Sequence, residues 1–137
     1  MASAISEYDE LYVYAMGRPV GFILQHVVDA SAAQTADAST KPIKIVFGLV
    51  GLLLHIEKGY SGRQVQLVHI KLASQRKRWP TVPLPADRGD VTVADVLSAE
   101  EGPERDAAID AWCRSIWAAY RASHKLIGDL LKEHQII

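Results

Sequence analysis

The stretch TKPIKIVFGLVGLLLHIEKG, residues 40–59, decides the fold of this chain. An N-cap threonine followed by an early proline favours the start of a helix, and Gly59 is the residue type usual just past a helix end. Between them, residues 42–58 are apolar nearly all round the helix, which is typical of a central helix. Gly48 and Gly51 each cost about 1 kcal/mol relative to alanine inside a helix, which indicates that a neighbouring helix approaches closely there.

The rest of the chain follows the same helical period, and β-strand signals are nearly absent. Further helices are predicted at about 7–16, 20–36 and 61–78, with Ser61 as an N-cap. Gly102-Pro103 opens a last helix that continues to about Glu133. It has roughly 30 residues and a length of about 45 Å at 1.5 Å per residue, so we expect it to span the domain and project beyond it.

The segment between the fourth and the last of these helices has a different character. Residues 79–91 contain three prolines and cannot be helical, so they should form an extended segment laid over the bundle. Thr92 with Asp95 resembles a capping box and opens a short helix to about Ala99. The predicted fold is a single all-α domain, residues 1–137, with a bundle of four to five main helices, a short helix and a Pro-rich extended crossover.

Length, composition and charge limit the class of protein. The chain has 137 residues, of which 49% are hydrophobic and 23% charged, as in an ordinary globular domain. A net charge of −1 does not favour nucleic acid, and the apolar run 45–54 is shorter than the roughly 20 residues that cross a bilayer. Cys113 is the only cysteine, and the N-terminus lacks the basic region of a secretory signal. We expect a cytoplasmic, bacterial-type protein that binds neither nucleic acid nor membranes.

Three histidines fall at similar heights in the predicted bundle. If the second and third helices turn around residue 39, His26 lies opposite Leu52, one turn from His55. If the third and fourth turn around residue 60, His69 lies opposite Gly51. The three rings then lie within about one helical turn, 5.4 Å, of each other. Because bundles build metal sites from histidines on facing helices, the sequence predicts a divalent metal such as zinc at His26, His55 and His69.

Three further polar residues are candidates for supporting roles around that site. Asp29, one turn from His26 on the same face, is placed to orient the imidazole ring. Gln34 either caps neighbouring backbone or lines a pocket, and Glu57 flanks the turn, where it can pair with Arg63. The alternative for each histidine is structural: a half-buried ring whose N–H bonds to a backbone carbonyl. No phosphate-binding loop or Ser-His-Asp signature is present, so the sequence leaves open whether the protein is an enzyme.

A second class of function remains beside the metal- or small-molecule-binding bundle. The long final helix and its apolar tail, residues 130–137, suit a non-catalytic interaction module that docks a partner or a second copy. The partner predicted from this feature is a homodimer formed through the C-terminal helix.

Six short segments occur in an order that resembles a known family: Tyr8-Asp-Glu-Leu11, Asp29-Ala30 with Gln34, Glu57-Lys-Gly59, Trp79-Pro80 with Leu84-Pro85, Thr92-Val-Ala-Asp-Val-Leu97, and Ala111-Trp112 with Trp117. Together they look like an uncharacterised bacterial all-helical family catalogued only as a domain of unknown function. The resemblance covers most of the chain. The Cys-Pro-x-Cys start of many members is absent here, and where the family tends to have a histidine five residues before the aspartate this chain has Leu24. The resemblance therefore implies the fold and no particular chemistry.

Overall fold

The computed structural model of the protein describes residues 6–137. Within that range the regular structure is helical and contains no β-strand. The described residues form seven α-helices: α1 (Glu7–Met16), α2 (Ile23–Gln34), α3 (Pro42–Lys58), α4 (Gly62–Gln75), α5 (Val93–Ser98), α6 (Pro103–Ala119) and α7 (His124–Glu133). They also form two three-residue 3₁₀ helices, Val20–Phe22 and Arg121–Ser123. The predicted all-α fold class is confirmed. No helix in the described part of the chain is both long and apolar enough to cross a membrane.

Helix α3 is the central element, as residues 40–59 predict. It contacts α2, α4, α6 and α7. Pro42 occupies its first turn, and Gly59 ends it with a φ of 69°, a left-handed conformation that glycine adopts without a steric penalty. Nearly all of its middle is buried: Ile45, Val46, Gly48, Leu49, Val50, Gly51, Leu52, Leu53 and Leu54. Because a buried leucine contributes about 1.5–3 kcal/mol through the hydrophobic effect, this helix holds the bundle together.

Gly48 and Gly51 allow α2 to lie directly on α3. A Cβ atom at Gly48 would lie 2.9 Å from the backbone oxygen of Asp29 and 3.4 Å from the Cβ of Ala32. At Gly51 a Cβ would overlap the carboxyl group of Asp29. The close approach that the two glycines predict is therefore a contact with α2, centred on Asp29.

The C-terminal part differs from its prediction. The expected single helix from Gly102 to Glu133 is wrong, because α6 ends at Ala119 and the chain turns through the 3₁₀ helix before α7 begins. The turn is fixed by one contact with α2 and one across the turn itself. The buried Tyr120 hydroxyl donates a hydrogen bond of 2.6 Å to the carbonyl of Ala33, and the His124 ring stacks on Trp117, with centroids 3.7 Å apart.

After this turn α7 folds back onto α3 and buries Ile127, Leu130 and Leu131. The rod that was expected to project from the domain is therefore absent from the described chain. Of the apolar tail, Ile136 packs against the core, and its backbone N–H donates to the carbonyl of Leu131 at 2.9 Å.

The extended crossover and the short helix are as predicted. Between α4 and α5 the chain has no helix, and the Arg88 guanidinium donates to the carbonyls of Gln34 and Ala36 at the end of α2. The capping box of α5 is formed: the Thr92 hydroxyl accepts from the Asp95 N–H at 3.3 Å, and the Asp95 carboxylate accepts from the Thr92 N–H at 2.8 Å.

The tight contact at Gly51 leads to a first prediction. Gly51→Ala should lower the free energy of unfolding by about 1–3 kcal/mol, because the methyl group has to displace the buried Asp29 carboxyl. Gly128→Ala on α7 is the matched control, since a Cβ there meets nothing within 4 Å. That variant should gain up to about 1 kcal/mol from helix propensity. Urea unfolding measures both, and equal stability of the two variants would contradict the close α2–α3 contact.

Candidate functional site

Two of the predicted histidines meet in the structure. His26 of α2 and His55 of α3 stack face to face, with ring centroids 3.7 Å apart and planes at 20°. Both line a pocket of about 370 Å³ at the end of the bundle where α3 turns into α4. Its other lining residues are Gly21, Ile23, Gly59, Tyr60, Ser61, Gln64, Asp106, Ile109 and Asp110.

His55 is held by a carboxylate that the sequence analysis did not single out. Its Nε2 atom lies 3.0 Å from Oδ1 of Asp110, and Oδ2 of Asp110 accepts from Nε of Arg114 at 2.7 Å. Burial raises the pKa of Asp110, but the hydrogen bonds and charges of Arg114 and His55 outweigh it and bring the pKa below its ordinary value. An ionised carboxylate only accepts hydrogen bonds, so Nε2 of His55 is the protonated nitrogen. In the neutral ring Nδ1 then carries the lone pair.

His26 is the more deeply buried ring of the pair, with 6% of its surface exposed. Burial, followed by the proximity of His55, lowers the pKa of His26 to about 4. The ring is therefore neutral near pH 7 and offers one nitrogen as an acceptor. Its Nδ1 atom is buried and has no hydrogen-bond partner among the described residues. A buried polar atom without a partner costs about 1–3 kcal/mol, so this atom calls for an explanation.

His69 does not join the other two histidines. Its Nε2 atom lies 2.9 Å from the carbonyl oxygen of Phe47, and its ring stacks on the Phe47 ring with centroids 4.6 Å apart. His69 was expected opposite Gly51. Its observed partner, Phe47, lies four residues earlier on α3, one helical turn away. The expectation that three rings point into one space is corrected accordingly. Within residues 6–137 no three His, Cys, Asp or Glu side chains are placed to hold a metal ion together.

The three predicted supporting residues have other partners. The carboxyl of Asp29 lies against Gly51 and accepts from Nε2 of Gln25 at 3.1 Å, so it does not orient His26. Gln34 joins the crossover to α6: its amide donates to the Val91 carbonyl at 2.9 Å and accepts from the Trp112 indole at 2.8 Å.

Glu57 serves as an acceptor for an indole. Its Oε2 atom accepts from Nε1 of Trp117 at 2.8 Å. The pairing of Glu57 with Arg63 that the sequence suggested is not formed, because the Arg63 guanidinium lies over the Phe22 ring, 4.5 Å from its centroid. Gln34 and Glu57 are thus structural.

The residue that the sequence analysis missed was Asp110. Its i, i+4 spacing to Arg114 is a visible signal for an ion pair, but not for a contact with His55.

Residues 5–121 match the model of DUF5946, a family of unknown function. The chain belongs to this family. The matched range includes every residue that lines the His26–His55 pocket and ends before α7. No curated protein and no solved structure matches the chain. The predicted resemblance to a family of unknown function is confirmed, and bacterial origin and cytoplasmic location stay predictions.

The stacked arrangement limits what the two rings can hold. A metal ion bound by imidazole lies in the ring plane, about 2.1 Å from the nitrogen. Because the two rings are stacked at 3.7 Å and inclined by only 20°, no point close to both rings lies in both planes. A shared ion therefore requires one ring to turn out of the stack. In the observed arrangement the pair instead offers hydrogen-bonding nitrogens beside the pocket.

The lowered pKa of His26 gives a second prediction. In a ¹H–¹³C NMR titration its ring resonances should change with a midpoint near 4, against about 6.5 for an ordinary histidine. Because the unfolded chain takes up this proton first, the free energy of unfolding should fall as the pH drops from 6.5 towards 4. His26→Gln should flatten that part of the stability profile. A midpoint at 6.5 or above would show that the ring is solvated rather than stacked in the bundle.

Proposed function

We propose that this protein binds a small, uncharged polar molecule in the pocket formed by His26 and His55. The observation that carries the proposal is the pair of stacked imidazoles, His26 and His55, in the lining of a pocket of about 370 Å³. Ligand pockets are commonly of this size and present a few polar groups on an otherwise apolar lining. A ligand that hydrogen-bonds to the imidazoles would relieve the desolvation of the pair.

The charges around the pocket indicate the kind of ligand. Its two carboxylates already have cationic partners: Asp106 is paired with Arg18 at 2.6 Å, and Asp110 is paired with Arg114 at 2.7 Å. An anion would lie close to both carboxylates and gain no free cation in the lining. A molecule with hydroxyl or amide groups fits better, since neutral His26 both donates and accepts.

The link between His55 and Asp110 adds a chemical capability to the proposed binding site. A histidine whose Nε2–H is held by a carboxylate has a fixed tautomer, with the lone pair on its second nitrogen. His55 is therefore suited to take a proton from a bound hydroxyl or water. This property is shared by general bases and by metal-binding histidines.

A divalent cation such as zinc is the second candidate for the same pocket. It is favoured by the meeting of two imidazoles next to two carboxylates, Asp106 and Asp110. The proposed ion would turn one ring out of the stack and complete its coordination with water. His69 is not part of this proposal, because its Nε2 atom is bonded to the Phe47 carbonyl.

A third prediction tests the site with defined probes. Glycerol, phenol and acetamide, added to ¹⁵N-labelled protein, should shift the amide resonances of Ile23, Tyr60 and Ile109 around the pocket. His26→Phe keeps a flat ring for stacking on His55 but removes both nitrogens, so it should weaken binding about 10-fold or more, the value of roughly one good hydrogen bond. His134→Phe, on the tail, is the matched control and should bind as the wild type does.

The same preparation decides between the two candidates. Titration with zinc and nickel should shift these resonances only if the cation candidate is correct. That effect should vanish in His55→Ala and fade as the pH falls, because a protonated imidazole cannot coordinate a metal. If the uncharged probes shift residues elsewhere, or if His26→Phe binds them as well as wild type does, the binding proposal is wrong.

Self-association through the C-terminal helix remains a prediction from the sequence. The apolar residues of α7 are buried within the domain, so a homodimer through this helix would have to form on its exposed polar face, which carries Lys125, Asp129 and Lys132. Such a face resembles the polar rim of an interface rather than its apolar centre. We therefore rank ligand binding first.

A further inference from the structure

The large apolar side chains that the fold leaves in solvent are concentrated on two helices, α1 and α4. On α1, Val13 is 63% exposed and Met16 59%; on α4, Leu67 is 66% exposed and Ile70 62%. The two residues of each pair are three positions apart, so they lie together on one side of their helix. The other α-helices keep their large apolar side chains buried or half-buried. Helices α1 and α4 thus each present an apolar face that no part of the described chain covers.

The charges on these two helices are opposite in sign. Helix α1 has three acidic residues and no basic one: Glu7, Asp9 and Glu10. Helix α4 has Arg63 and Lys71 and no acidic residue. All five side chains are exposed, and none of them forms an ion pair with another described residue. The face of α1 therefore complements the face of α4 in charge, and both faces have an apolar part.

Both faces lie on the same side of the molecule. Helices α1 and α4 each pack on α2. Tyr8 near the start of α1 and His69 of α4 line one pocket between them, and Met16 at the end of α1 and Arg63 at the start of α4 line another. The two helices therefore run in opposite directions along a shallow groove over α2, at matching heights.

We propose that this protein forms a two-fold symmetric homodimer in which the acidic, apolar face of α1 packs on the basic, apolar face of α4 of the partner. A two-fold axis along the groove exchanges the positions of α1 and α4 and keeps their heights. Val13 then lies level with Leu67 of the partner subunit, and the acidic first turn of α1 lies level with the partner's Lys71. The contact occurs twice, and each has apolar residues at its centre and charges around them.

The face of α4 alone would also suit a membrane surface with anionic lipids, since it combines basic and apolar residues. The position of α1 argues against that partner. The same surface would meet the exposed carboxylates of α1, and the lipid head groups would repel them. A second copy of the chain instead offers each charged face its opposite, so the homodimer is the better match.

Charge reversal tests the proposed pairing. Sedimentation equilibrium over about 5–500 µM protein should show a reversible step from monomer to dimer, whose Kd Asp9→Lys and Lys71→Glu should each raise about 10-fold or more. Each variant turns two attractions into repulsions, because the contact occurs twice. An equimolar mixture of the two variants should regain the wild-type Kd. In the mixed dimer one contact carries both reversed charges and the other carries neither.

Matched variants on α7 and on the tail are the controls. Leu67→Gln should weaken the dimer about 10-fold or more, whereas Ile137→Gln should leave it unchanged. Lys132→Glu, a reversal on the exposed side of α7, should also have no effect. Because every substituted side chain is exposed, the thermal unfolding midpoint of the monomer should change little in all of these variants.

Several results would overturn the homodimer. The protein could remain monomeric at the highest concentration, or the mixture of Asp9→Lys and Lys71→Glu could fail to regain the wild-type Kd. If Lys132→Glu weakens the dimer as much as Lys71→Glu does, the copies meet through α7 instead. Cosedimentation of a monomeric protein with phosphatidylserine vesicles, lost in Leu67→Gln, would assign the face of α4 to a membrane.

Discussion

The close contact between α2 and α3 is the constraint on which the rest of the structure depends. It exists because Gly48 and Gly51 present bare backbone to α2, and the Asp29 carboxyl fills the space that a side chain at Gly51 would occupy. Helix axes that approach this closely bring side chains of the same height into direct contact. One such pair is His26 and His55, which stack only because their helices lie side by side. The same contact keeps Asp29 out of water.

Helix α2 therefore carries two groups whose hydrogen bonding is incomplete within the described chain, His26 Nδ1 and Asp29 Oδ2. They lie three residues apart in sequence, one above the other on the 12-residue helix α2. Native proteins satisfy nearly all buried polar atoms, so exceptions tend to mark sites where function outweighs stability. That two such atoms occur on one short helix favours α2 as the functional element of this protein.

The sequence predicts well those features that are decided locally. Pro42 and Gly59 mark the ends of α3, and the capping box of Thr92 and Asp95 marks the start of α5, because each signal acts within a few residues. The break between α6 and α7 was not predictable in this way. It rests on the hydrogen bond between Tyr120 and Ala33, 87 positions apart in the chain. Periodicity continues through residues 119–124, so local patterns alone favour one long helix.

The functional site shows the same division between local and long-range information. The sequence analysis correctly predicted that His26 and His55 lie together, because a short connection makes α2 and α3 pack side by side. It misplaced His69 by one turn, because the height of α4 is set at Gly62, where a Cβ would overlap the backbone oxygen of Phe22. Helix α4 is thereby seated against the start of α2, and His69 comes level with Phe47 rather than with Gly51. A shift of one turn was enough to separate His69 from His26 and His55, so that the three rings do not point into one space.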